Sequence, residues 1–147
     1  MDMKRIAIGT IVGGVAMYVI GYLIFDLALG SFYAANVGSA GDDALRIPNF
    51  QWALAISNFA YALLVTLGIE LRGGTPSIAS GFITGAVIGF LVWLTADLYY
   101  YGASNVWNYI IVIVDPPLSA LATGIGGAVI AAVLMRVPSS AGVKIAR

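Results

Sequence analysis

Three aspartates carry most of the chemistry open to this chain. Asp26, Asp97 and Asp115 lie in three different apolar stretches. Each stands about 20 residues from the same end of its stretch, so a helical rise of ~1.5 Å per residue puts all three near one depth, ~30 Å from one membrane surface. Charged groups in or beside hydrocarbon are costly and are functional candidates by default. Carboxylates that meet there repel, and so share a proton or hold a hard cation. Depth alone does not bring them into contact. Asn58 adds a neutral oxygen or an amide donor from the remaining stretch, although an asparagine at such a position also serves to bridge helices. The plainer readings are solvated groups at the headgroup boundary for Asp26 and Asp97, paired with Arg46 or a tyrosine, and a helix cap for Asp115.

Missing residue types narrow the chemistry further. The chain has no cysteine and no histidine, which excludes disulfides and thiol relays and removes the commonest ligand of haem, copper and zinc. No cofactor is evident. The metal chemistry left is a hard divalent cation held by carboxylates, carbonyls and water. A formal net charge of zero without a Lys/Arg cluster gives nucleic acid nothing to bind. Paired carboxylates can do acid–base work, but no nucleophile motif or phosphate loop accompanies them, so a non-enzymatic role is expected.

The elements that position these groups follow from hydropathy. Apolar residues make up 61% of the chain and charged ones 10%, against roughly 45–50% and about 25% in soluble domains, so a membrane is the expected solvent. Four stretches suit crossing helices: residues 6–29, 50–70, 78–101, and a last one ending at 135. The fold class expected is all-α: one polytopic domain over 1–147, an antiparallel four-transmembrane-helix bundle with a loose tail at 138–147. The start of the fourth span is open. Asp115 precedes Pro116 and Pro117, and the simplest reading makes Asp115 the N-cap and Pro116 the first helical residue. The alternative is a longer helix from Trp107, with the carbonyls of Val112 and Ile113 freed where the prolines offer no N–H.

Charge sets the orientation. Lys4, Arg5, Arg72, Arg136, Lys144 and Arg147 fall on one side and Arg46 alone on the other, so the positive-inside bias puts both termini in the cytoplasm. Phe32, Tyr33, Trp52, Tyr99, Tyr100, Tyr101, Trp107 and Tyr109 gather towards the opposite face as an interfacial belt would. Glu70 and Arg72 are expected at the inner boundary and Asp42 and Asp43 in a solvated loop.

Small residues predict how the spans meet. Gly81, Gly85 and Gly89 recur every fourth residue, and the same row continues to Trp93, Asp97 and Tyr101. Gly9 and Gly13 form a second row, and Ala120, Gly124 and Ala128 a third. Such faces admit close backbone approach, here within one chain or towards a second subunit.

The runs "NVWN", "VDP" and "GGAVIAAVL", within 105–134, and the stretch 9–38 resemble a group of small bacterial membrane proteins with four predicted helices and no assigned activity. The resemblance implies the fold and a bacterial inner-membrane setting. Four functions are then in competition. The first is an accessory or binding bundle in a homo-oligomer or larger membrane complex. The second is an oligomeric proton- or cation-coupled small transporter using the three carboxylates. The third is a pocket for an amphipathic small molecule such as a lipid or quinone, among Tyr22, Trp93, Tyr99 and Trp107. A membrane enzyme is the fourth.

Overall fold

Hydropathy and helix capping together account for where the helices run. The computed structural model describes residues 2–40, 48–73 and 75–138; Asp42, Asp43, Arg46, Lys144 and Arg147 lie outside these. Helix α1 (Met3–Gly21) starts where the Asp2 side chain accepts from the backbone N–H groups of Lys4 and Arg5. It continues as a π-helical segment, Tyr22–Ala28, and then a short helix α2 (Gly30–Ala35). Helix α3 covers Gln51–Leu71, and α4 covers Ile78–Ala103 behind a reciprocal Ser77–Ser80 capping box. Between them Gly73 takes a φ of 74°, a left-handed turn that suits glycine.

Helix α5 spans Tyr109–Leu134 without interruption, and this corrects the expected cap. Its N-cap is Asn108, whose side chain accepts from the N–H groups of Ile110 (2.9 Å) and Ile111 (3.3 Å). Asp115, Pro116 and Pro117 are interior residues of the helix. A strong cap upstream and burial of Pro116 against its neighbours hold the helix together where the prolines remove two backbone donors.

Among the described residues the protein is all-helical, and four helical runs are long and apolar enough to cross a membrane: Met3–Ala28, Gln51–Leu71, Ile78–Ala103 and Tyr109–Leu134. Many large apolar side chains point outward, including Ile11, Val15, Ile56, Ile83, Val87 and Ile113, as a lipid-facing surface requires. Trp52, Tyr99, Tyr100, Tyr101 and Tyr109 are exposed at the end that carries the aspartates.

The tightest contact joins α4 to α5. Gly81 lies against Gly127 and Ala131, Gly85 against Thr123 and Gly124, and Gly89 against Ser119 and Thr123. Position numbers fall along α5 as they rise along α4. A Cβ at Gly85 would overlap the Thr123 carbonyl oxygen, and one at Gly89 would sit 2.7 Å from that of Ser119. The glycine row is therefore filled by this chain's own backbone, with Phe82 lying over Gly124. A second pair, α1 with α3, meets where Gly9 faces Thr66 and Gly13 faces Ala62. Ile130 of α5 packs against both glycines. The apolar core between the pairs is Met17, Ala62, Val65, Ile69, Ile130 and Leu134.

At the opposite end from the aspartates, Arg5 ties three helices together. It is 6% exposed, forms an ion pair with Glu70 at 2.9 Å, and donates to the Leu134 carbonyl at 2.8 Å and to that of Val137. Glu70 is thus a partly buried partner of Arg5 rather than a solvated boundary carboxylate. The guanidinium also serves carbonyls that the end of α5 leaves without intrahelical donors.

Three variants test this packing in detergent-purified protein followed by thermal unfolding. Gly85→Ala should destabilise it by about 1–3 kcal/mol, because backbone must move to admit the methyl, whereas Gly21→Ala, with nothing within 4 Å, should be neutral or stabilise by up to about 1 kcal/mol. Glu70→Ala strands the Arg5 charge among buried groups and should cost about 3–5 kcal/mol.

Candidate functional site

The close α4–α5 contact decides which acids meet. Asp97 continues the glycine row of α4, and the descending register of α5 brings Asp115 to it. Asp97 is 1% exposed and Asp115 5%. Their carboxyl groups are near enough for each to act on the other. A hydrogen bond between two carboxyl groups exists only when one of them carries a proton.

Asp115 is the better supported of the two. The Tyr33 hydroxyl donates to its Oδ1, and Ser119, one turn along α5, donates from Oγ to its Oδ2 at 3.3 Å. Asp97 Oδ2 is buried and finds no hydrogen-bond donor among the described residues. The described basic side chains Arg5 and Arg72 make their contacts at the other end of the bundle.

Tyr33 reaches Asp115 because α2 is tied down from two sides. Its ring sits edge-on to Phe25 (5.7 Å between centroids) and to Phe32 (5.6 Å). The chain after α2 pairs with the α4–α5 connection: the N–H of Gly38 donates to Val106 (2.7 Å), that of Ala40 donates to Asn105 (3.0 Å), and Val37 and Trp107 form an antiparallel bridge. Gly38 lies so close to the Asn105 carbonyl that any Cβ there would overlap it.

Beside the pair is a pocket of about 250 Å³. Tyr18 and Tyr22, Asp26, Asn58 and Tyr61, Trp93, Ser119 and Thr123 all line it. Ser119 therefore belongs both to the pocket wall and to the hydrogen bonds of Asp115. Tyr18 donates to Gln51 at 2.7 Å, and Thr123 donates to the Tyr61 hydroxyl at 3.4 Å.

The three expected acids thus separate. Asp97 and Asp115 are brought together, while Asp26 is exposed and lines the pocket. Asn58 is a pocket residue whose amide donates to the Leu54 carbonyl at 2.9 Å. Of the four aromatic candidates, Tyr22 and Trp93 line the pocket. Tyr99 is 70% exposed, and Trp107 stands in the bridge with Val37. Among the described residues no three His, Cys, Asp or Glu side chains converge on a metal position. The donor set available to a hard cation is two carboxylates with the hydroxyls of Tyr33 and Ser119.

Tyr33, Ser119, Tyr61 and Thr123 were not singled out as site residues by sequence. Ser119 had a signal, since it follows Asp115 by one helical turn. Tyr33 had none beyond its place in the aromatic belt. Comparison with protein-family models, with curated proteins and with solved structures finds no match to this chain.

Tyr33 lies outside the four spans, and its phenol is pushed well above the ordinary tyrosine range by burial first and then by its hydrogen bond to Asp115. The folded state therefore keeps this proton where the unfolded chain loses it, near pH ~10. Its contribution to stability is complete below that pH and erodes as pH rises beyond it. An ultraviolet phenolate titration should accordingly show Tyr33→Phe losing no absorbance change near pH ~10 relative to the parent protein. Loss of one tyrosine's signal there would place Tyr33 away from Asp115.

Proposed function

We propose that this chain is a multi-pass protein of a bacterial inner membrane whose working element is a proton held between Asp97 and Asp115. In this reading the four spans form an antiparallel bundle with both termini in the cytoplasm. The basic residues of one end, and the register of α4 against α5, support that arrangement.

One observation carries the proposal: a fully buried carboxyl group, Asp97, set against a second carboxyl group with no cation beside it among the described residues. Two ionised carboxylates in such a place would each lack the solvation that water supplies, at several kcal/mol per ion, and would also repel. One proton removes both penalties. Asp115, which accepts from Tyr33 and Ser119, is placed to hold the charge, and Asp97 to hold the proton.

The protein is then a binding bundle whose state depends on protonation. Coupled transport by an oligomer is the second reading, and Ser119 favours it. Ser119 contacts both Asp115 and the pocket, so a ligand in the pocket and the shared proton are one hydroxyl apart. Four spans enclose little of a pathway, which is why that reading needs more than one copy.

Infrared difference spectroscopy on the purified protein tests the proton directly. Near neutral pH the parent protein should show a protonated-carboxyl stretch that shifts in heavy water and is absent from Asp97→Asn, where the amide donates to an ionised Asp115. Helical content and melting temperature should be preserved in that variant. Absence of the band from the parent protein overturns the shared proton. A melting temperature raised by Na⁺, Mg²⁺ or Ca²⁺ in the parent alone would put a cation in its place.

A further inference from the structure

The pocket has a chemistry of its own, separate from that of the buried pair. Five aromatic rings line it, from Tyr18, Tyr22, Phe25, Tyr61 and Trp93. The carboxylate in its wall is Asp26, which makes no hydrogen bond or ion pair among the described residues. Among the described residues no lysine or arginine lines it. Aromatic faces attract a cation through their quadrupole, by about 0.5–2 kcal/mol each according to how far the site is desolvated. A carboxylate beside aromatic faces adds a negative charge that a cation complements. Among the described residues the lining offers an anionic ligand hydroxyl and amide donors but no positive charge.

The pocket also has apolar lining, from Met17, Leu54 and Ala122, alongside the polar Gln51 and Ser57, and its volume of about 250 Å³ suits a small organic group. A hydrated metal ion would leave those surfaces unfilled. The occupant that matches is positively charged at one end and greasy elsewhere.

We infer that this pocket binds an alkylammonium group carried on an apolar body. The charge sits against Asp26 and the rings of Tyr18 and Tyr22, and the body lies towards Trp93 and Tyr61. Such a group has two sources, a membrane-soluble amine or the ammonium headgroup of a phospholipid. The inference goes beyond the shared proton and stands without it, because Asp26 is not part of the Asp97–Asp115 contact.

The test uses the full chain in nanodiscs of phosphatidylglycerol, which has no ammonium group. The probe is phenethyltrimethylammonium, its control the uncharged carbon isostere (3,3-dimethylbutyl)benzene, and the readout tryptophan fluorescence. The cation should bind saturably and at least about tenfold more tightly than the isostere. Asp26→Asn, an exposed position whose replacement leaves the core intact, should abolish that preference without changing binding of the isostere. Asp97→Asn should leave binding of the cation within about twofold, so that failure of the shared proton and failure of this inference are read separately. Phosphatidylethanolamine in the nanodisc should compete if the headgroup is the natural occupant, and should leave binding unchanged if a free amine is. Equal binding of the isostere, a preference that survives Asp26→Asn, or no saturable binding of the cation would each overturn the assignment.

Discussion

The backbone contact between α4 and α5 is the constraint from which the rest of this structure follows. Lipid gives two apolar helices little reason to associate, so packing has to come from surfaces that fit closely. Gly81, Gly85 and Gly89 supply one such surface, and the main chain of α5 from Ser119 to Gly127 supplies the other. Contact at this range fixes register as well as distance, because a slip would drive side chains into positions that admit only hydrogen. The register then acts at a distance. Two turns beyond Gly89 the same row reaches Asp97, and the opposing helix has by then descended to Asp115. A contact made by residues without functional groups thereby sets the position of those that have them.

The two ends of the bundle solve the problem of buried charge differently. At one end Arg5 meets Glu70 and the carbonyls closing α5. Opposite charges and backbone dipoles are matched there, and the result is a fixed clasp on α1, α3 and α5. At the other end two like groups meet, and the donors present serve Asp115 alone. A matched site is stable in one protonation state. An unmatched one depends on what is bound, which is why the second end, rather than the first, is where a responsive site is to be sought.

Much of this arrangement was legible in the sequence, and the parts that were not share a cause. Hydropathy locates the four spans because lipid acts on each segment by itself, and the glycine row is visible because its period is that of the helix. Asp97 could be placed on that row by counting. The double proline is a strong local signal that favours Asp115 as a cap over the longer helix from Trp107, whereas the cap used, Asn108, lies seven residues upstream and leaves the prolines inside the helix. Glu70 looked like a surface residue because its partner, Arg5, is far away in sequence. The π-helical segment at Tyr22–Ala28 has no evident signature in its residues. It changes which way residues near the end of the first span face, and Asp26 is found outside the acid pair it shares a depth with. Shared depth is a one-dimensional statement. Convergence also needs an angle, and the angle depends on contacts between segments.

Tyr33 and Ser119 give the carboxyl pair a direction. Tyr33 approaches Asp115 from the loop side, in edge contact with Phe25 and Phe32, and the chain that follows it pairs Val37 with Trp107. That side carries packed rings and paired main chain. Ser119 approaches the same carboxylate from the helix, and its hydroxyl belongs also to the pocket wall. A hydroxyl can turn and exchange donor for acceptor, whereas a packed ring and a paired backbone move only with the elements that carry them. On the proposed reading of a shared proton, Ser119 is the hydroxyl that joins the pair to the pocket. On that reading an occupant of the pocket stands one hydroxyl from the pair, with no change in helix packing required.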